Sequence, residues 1–169
     1  MLDDFEYMKC AYRVAYEDSD DPRTQTGAVI VSGGNIIALE SNRIANGLGF
    51  SPEMIERENK GYYINHAERR AIAECAKKGL STKGGTMYTF WEPCTPCGLM
   101  IIDSGIEEVV LHKELNDYYR DNMDDDKWLK DQDMALKNMK DAGINVRYLE
   151  GKLFNDNFSI NFRGKKFSP

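Results

Sequence analysis

The chain has no apolar run near the ~20 residues that a membrane-spanning helix needs, which excludes a helical membrane protein. Its start, Met1-Leu2-Asp3-Asp4, has neither the basic nor the apolar part of a signal segment, and that absence predicts a cytoplasmic protein. Cysteine is sparse: Cys10, Cys75, Cys94 and Cys97 are the only four in 169 residues. A disulfide scaffold is therefore not indicated, and a single domain of this length can bury a substantial core without one. Histidine is scarcer still, with only His66 and His112, so a metal site must draw on the cysteines. Positive charge is in deficit, 22 Lys+Arg against 28 Asp+Glu for a net charge of −6 and a pI near 5.0. That balance argues against long nucleic acid as a partner. A small anionic substrate stays compatible, because a few local donors can hold one phosphate. No internal repeat and no linker divides the chain, which reads as one domain over 1–150 followed by a tail over 151–169.

What is present is a two-part motif. His66-Ala67-Glu68 is followed, 25 residues after Glu68, by Cys94-Thr95-Pro96-Cys97, with Pro93 in front. One histidine and two cysteines form a three-ligand zinc set, and three protein ligands rather than four leave a coordination position for water. Glu68 is the candidate general base beside that water. A thioredoxin-like redox reading of Cys94 and Cys97 is the first rival, but such motifs call for no companion H-x-E. A structural zinc site would need a fourth protein ligand. His112 stands at the end of an apolar strand, where a packed or solvated histidine is the simpler reading. Cys75 follows His66 by nine residues and so lies on the opposite side of a helix with ~3.6 residues per turn. Cys10 reads as a small core residue.

Taken in order, Asp3 to Glu17 carries Phe5, Met8, Tyr12 and Ala15 at helical spacing, and Asp18 to Pro22 breaks it. Gly27 to Val31 and Ile36 to Leu39 flank the turn Ser32-Gly33-Gly34-Asn35 as a β-hairpin. Periodicity is lost from Ser41 to Lys60, apart from a short polar segment, Glu53 to Asn59, of helical type. A loop this long in a compact domain is usually functional. His66 to Lys78 and Thr95 to Ser104 read as helices, with Thr86 to Phe90 and Val109 to Leu111 as strands. In mid-helix, residues two apart point about 200° apart, so His66 and Glu68 converge only at a helix start. Cys94 and Cys97 flank the other helix start, where the dipole favours thiolates and Pro96 is tolerated. Glu114 to Asp126 is polar and acidic, with Asp126 as a cap for a last helix, Lys127 to Ala142, and Asn145 to Leu149 is the fifth strand. The sum is an α/β protein, a three-layer αβα sandwich on a central five-stranded mixed sheet. Phe154, Phe158, Phe162 and Phe167 are too many aromatics to leave in water, so the tail should pack on its own domain or on a neighbouring subunit. Glu92, at a strand end, reads as a solvated charge.

From Asp20 to Leu111 the sequence resembles the zinc-dependent cytidine and deoxycytidylate deaminase superfamily. The matching stretches are Asp21-Pro22-Arg23-Thr24-Gln25-Thr26-Gly27, then Asn42, then His66-Ala67-Glu68, and Pro93 to Cys97. The Asp-Pro-x-Thr-Gln run points to the deoxycytidylate branch. What the resemblance implies is a cytidine deaminase-like fold and hydrolytic conversion of dCMP to dUMP, with zinc on His66, Cys94 and Cys97 and Glu68 as proton shuttle. Alternatives on the same fold are deamination of dCTP, cytidine or a tRNA adenosine, or a nucleotide-sensing homologue without activity. By position, Asn42 would bond the sugar or phosphate, Ala67 would offer its N–H to the pyrimidine carbonyl, Thr24 or Arg23 would lie near the phosphate, and Tyr118 would stack on the base. The family commonly has Gly-Tyr-Asn-Gly-x-Pro where this chain has Glu40-Ser41-Asn42-Arg43-Ile44-Ala45, and Arg43 is the candidate for a charge that backbone N–H groups supply elsewhere. Residues 43–65 contain no Cys or His, so one zinc ion per chain is expected rather than two. The resemblance further implies a homo-oligomer, a hexamer, and Mg2+ accompanying a nucleotide effector.

Overall fold

The computed structural model describes residues 2–122, 126–155 and 157–169. Residues 123–125 of the acidic stretch and residue 156 of the tail lie outside the described residues. Helix α1 (Asp4–Asp18) is capped by Asp3, whose carboxylate accepts from the Glu6 amide at 2.9 Å. This satisfies a donor that the first helical turn cannot bond internally. Tyr7, Met8, Ala11, Tyr12 and Ala15 recur every three or four residues and are buried. Strands β1 (Gly27–Ser32) and β2 (Asn35–Ser41) form the hairpin, turning through Gly33 and Gly34 at φ 56° and 76°. Two successive positive φ values make the turn whose twist matches the strands. Gly27 lets α1 approach β1 closely, since a Cβ there would sit 2.0 Å from the Ala11 carbonyl oxygen.

The long loop is less irregular than its sequence. β3 (Arg43–Ile44) pairs antiparallel with β4 (Ile64–Asn65), and between them lie a 3₁₀ turn (Pro52–Ile55) and the short helix α2 (Lys60–Tyr63). Helical structure thus flanks the Glu53 to Asn59 segment rather than filling it. Next come α3 (Ala67–Lys78), β5 (Thr86–Thr89), α4 (Thr95–Asp103), β6 (Glu108–His112) and α5 (Lys113–Asn122). Then follow α6 (Asp126–Asp141), β7 (Asn145–Leu149), β8 (Ile160–Phe162) and β9 (Lys165–Phe167).

The main sheet runs β2-β1-β5-β6-β7, antiparallel on its β2 and β1 side and parallel from β5 to β7. Successive strand residues point to opposite faces. Val29, Val31, Tyr88 and Val110 accordingly join α1 in one cluster. Ala28, Ile30, Met87, Val109 and Leu111 join Ala71, Ile72 and Cys75 of α3 and Ile101 of α4 in the other. The expected three-layer sandwich with a five-stranded mixed sheet is therefore the observed fold, with α3, α4 and α6 on one face and α1 on the other.

The α1 face is completed by elements the sequence did not announce. α5 occupies much of the acidic stretch, burying Leu115, Asn116 and Tyr119. The β8–β9 hairpin puts Ile160 and Phe162, both fully buried, and Phe167 into the same cluster as Tyr12 and Phe90. Among the described residues, no helix is long and apolar enough to cross a membrane.

Candidate metal centre and cavity

Helices α3 and α4 each begin on a residue in extended conformation: His66 (φ −68°, ψ 153°) and Cys94 (φ −72°, ψ 163°) are their N-cap residues. The Thr95 amide donates to Asp131 Oδ2 at 3.0 Å and its hydroxyl to the Asp131 carbonyl at 3.0 Å, which ties the start of α4 to α6. The two helix starts bring Cys94 Sγ and Cys97 Sγ each to 3.4 Å from His66 Nδ1. All three ligand atoms lie within 4.8 Å of one another, and no other such group occurs among the described residues. Tetrahedral bonds of ~2.0–2.1 Å from nitrogen and ~2.3 Å from sulfur place N and S ~3.6 Å apart, so this donor set fits a zinc ion.

The local electrostatics agree with that use. Hydrogen bonds from Cys97 and then His66 hold the Cys94 thiol well below the usual thiol range, against the effect of burial. Burial disfavours the charged His66 ring, but its hydrogen bond to Cys94 and the Glu68 carboxylate outweigh this and raise its pKa. Glu68, in the first turn of α3, is 6% exposed, and burial pushes its carboxyl upward. A carboxyl of raised pKa in a cavity is suited to accept a proton and return it.

The cavity has a volume of about 270 Å³. His66, Glu68 and Cys94 line it beside Trp91, Trp128 and Ile64. Trp91 and Trp128 are stacked, with centroids 5.5 Å apart and planes at 27°, an aromatic wall suited to a flat heterocycle. The 21–26 segment contributes Asp21, Thr24 and Thr26, and the long loop contributes Asn42, Arg57 and Lys60. Lys60 Nζ contacts Asp21 Oδ2 at 2.5 Å, and the other oxygen of Asp21 accepts from the Arg23 and Thr24 amides.

Thus His66, Glu68, Cys94, Thr24 and Asn42 share the cavity, with Cys97 at its metal triangle. Asn42 Oδ1 accepts from the Thr26 amide at 2.8 Å and the Ser19 hydroxyl at 2.7 Å, while Nδ2 donates to the Thr24 carbonyl at 2.8 Å. Its side chain therefore fastens the 19–26 loop. Ala67 is the buried first residue of α3, so its N–H belongs to the helix-start donors without an intrahelical acceptor.

Three candidates are not among the residues lining the cavity. Arg23 lies exposed against Gly164, Arg43 reaches toward Asp20 at 3.6 Å, and Tyr118 packs on Phe167 with centroids 5.4 Å apart. Glu92 is a further correction. Far from solvated, it is 3% exposed, and its oxygens accept from Tyr148 Oη and Arg120 NH2, each at 2.6 Å. Sequence reasoning missed Asp21, Arg57, Lys60, Trp91, Trp128 and Arg163 as lining residues. For Arg57 and Lys60 the available signal was the length of their loop.

An open three-ligand centre beside a buried acid defines a zinc-binding protein of hydrolytic type. The chain belongs to the cytidine and deoxycytidylate deaminase family: the profile described as "Cytidine and deoxycytidylate deaminase zinc-binding region" matches residues 1–113. The deoxycytidylate deaminase of Homo sapiens is 35% identical over 124 residues, 69% of this chain and 67% of the relative. A probable deoxycytidylate deaminase of Drosophila melanogaster is 32% identical over 155 residues, 85% of this chain and 70% of the relative. The crystal structure of dCMP deaminase from the cyanophage S-TIM5 superposes with a TM-score of 0.64 at 23% identity, covering 85% of this chain and 94% of that one, a likeness of fold.

Proposed function

We propose that the protein deaminates dCMP to dUMP, with His66, Cys94 and Cys97 holding one zinc ion and Glu68 moving the protons. The observation that carries this is the His66, Cys94 and Cys97 triangle, with the buried Glu68 carboxyl in the same cavity. Similarity to deoxycytidylate deaminases supports the choice of nucleotide. When bound, zinc supplies the Lewis acidity that makes water nucleophilic near neutral pH. Glu68 accepts the proton that water gives up, delivers a proton to N3 of the cytosine ring, and protonates the departing amine at C4. The balance is dCMP and water to dUMP and ammonia. Trp91 and Trp128 form the wall against which the ring lies flat.

The proposal extends to a single catalytic domain over 1–150 whose tail over 151–169 completes the α1 face, and to a cytoplasmic homo-oligomer. Leu99 and Met100 on α4 and Met134 on the adjacent α6 are 48%, 41% and 51% exposed, an apolar surface that an identical subunit would cover. A nucleotide effector would bring Mg2+ with it, as in the related enzymes the sequence resembles. The test is a turnover panel of dCMP, dCTP, cytidine and an anticodon stem-loop, with and without dCTP and dTTP. dCMP should be turned over fastest; faster turnover of the stem-loop overturns the reading.

A further inference from the structure

Arg163 is the only non-glycine residue with positive φ (53°) among the described residues, and it lines the cavity although it lies 95 residues beyond Glu68 in sequence. It occupies the first turn position of the β8–β9 hairpin, with Gly164 at φ 79° in the second. That turn type favours Asn-Gly, and a long side chain in the left-handed region is held there only by surrounding structure. The surrounding structure is explicit. Phe162 is fully buried edge-on against Trp91, with centroids 4.7 Å apart. Gly164 donates to the Arg23 carbonyl at 2.7 Å, the Gln25 amide donates to the Asn161 carbonyl at 2.8 Å, and the Asn161 amide donates to Gln25 Oε1 at 2.7 Å. The hairpin is thereby docked on the segment that carries Thr24 into the cavity. The Arg163 guanidinium lies over the Tyr119 ring, 5.7 Å from its centroid, which fixes its reach.

Charge at this part of the cavity is unbalanced. Asp21 is the acid of the 21–26 segment and is taken up by Lys60, while Arg57 and Arg163 add two further positive charges. With the ring at the metal end, a 5′-phosphate must leave along the cavity, and a guanidinium fork matches phosphate geometry better than a point charge does. We propose that Arg163, delivered by the C-terminal hairpin, is the specificity residue that selects a 5′-phosphorylated nucleotide over its nucleoside. The proposal deepens the dCMP reading and rests on it.

The test compares wild type, Arg163→Gly and Arg163→Lys. Glycine adopts the turn without strain, so Arg163→Gly should melt no lower than wild type while lacking the charge. Arg163→Gly should lower kcat/KM for dCMP by about 10- to 100-fold, the usual range for losing a charge-assisted hydrogen bond, chiefly through KM. It should leave deoxycytidine turnover unchanged, and Arg163→Lys should recover part of the loss. An unchanged ratio between the two substrates, or an equal fall on both, overturns the proposal. Titration calorimetry with inorganic phosphate separates this from the underlying reading. If wild type turns over no pyrimidine, the dCMP reading fails, and phosphate that binds wild type but not Arg163→Gly still upholds Arg163. Equal binding to both, or binding to neither, overturns it.

Discussion

Arg120 NH2 donates to Glu92 Oε2 at 2.6 Å, which ties α5 to the loop that carries Cys94 two residues further on. The other carboxylate oxygen accepts from Tyr148 Oη, and the Glu92 carbonyl accepts from Gln132 Nε2 at 2.7 Å, so α5, α6 and β7 all meet on one residue. Removing one partner of a buried ion pair strands the other, although Arg120 keeps 34% of its side chain exposed, which moderates the cost. Glu92→Ala should therefore destabilise the fold by about 2–4 kcal/mol in urea unfolding. Glu92→Gln, which keeps the shape and part of the bonding, should cost less. Equal midpoints for wild type and Glu92→Ala would show that the network contributes nothing to stability.

Glu68 and the ligands should separate cleanly. Glu68→Gln removes the proton carrier but no ligand, so the purified variant should hold stoichiometric zinc by elemental analysis while deamination falls at least ~100-fold. Cys94→Ala and Cys97→Ser each remove a ligand and should lose the metal. Their melting temperature should fall as well, because the ion links the starts of α3 and α4. Zinc lost from Glu68→Gln would reassign that carboxyl to a structural role.

His112 gives the stability a pH dependence. The ring is fully buried; Nδ1 accepts from Tyr12 Oη at 2.8 Å, and Nε2–H donates to the Gly151 carbonyl at 3.2 Å, which is the neutral tautomer. Burial lowers its pKa, while the Gly151 carbonyl and the Glu114 carboxylate, 3.0 Å from Nε2, pull the other way without prevailing. The unfolded chain binds a proton below ~6.5, where the folded chain does not, so stability falls as pH drops below ~6.5 toward the folded value. The His112 contribution to this slope is at most about 1.4 kcal/mol per pH unit. Denaturation midpoints at pH 5, 6, 7 and 8 should show the decline in wild type and a shallower one in His112→Gln. Identical slopes would mean that His112 titrates alike in both states.

The metal centre was legible because its chemistry is local. His66 with Glu68, and Cys94 with Cys97, each sit within one helical turn, and a helix start is the only place where the first pair converges. Glu92 was misread for the opposite reason: its partners Arg120 and Tyr148 lie 28 and 56 residues away, and nothing beside Pro93 reveals them. α5 escaped because its buried stripe is only Leu115, Asn116 and Tyr119 in a charged segment. Tyr118, the neighbour chosen to meet the base, faces Phe167 instead, one helical position from the buried Tyr119. The cation nearest to the same logic, Arg163, belongs to a hairpin whose strands are three residues each, too short for alternation to show.

Phe162 is the joint between that hairpin and the cavity. It is fully buried, with its ring edge-on to Trp91 and 5.9 Å from Tyr119 in the same manner. Truncation to alanine removes most of a large buried side chain and should cost about 3–5 kcal/mol, with Phe162→Leu losing less. Because Trp91 lines the cavity, loss of its support should also loosen the wall for the ring, raising KM for dCMP more than it lowers kcat in whatever fraction stays folded. Urea unfolding followed by tryptophan fluorescence reads the first effect, and steady-state kinetics below the melting temperature read the second. A Phe162→Ala protein of full stability with altered KM would place the coupling in the cavity alone. Full stability with unchanged KM would remove the hairpin from the working site altogether.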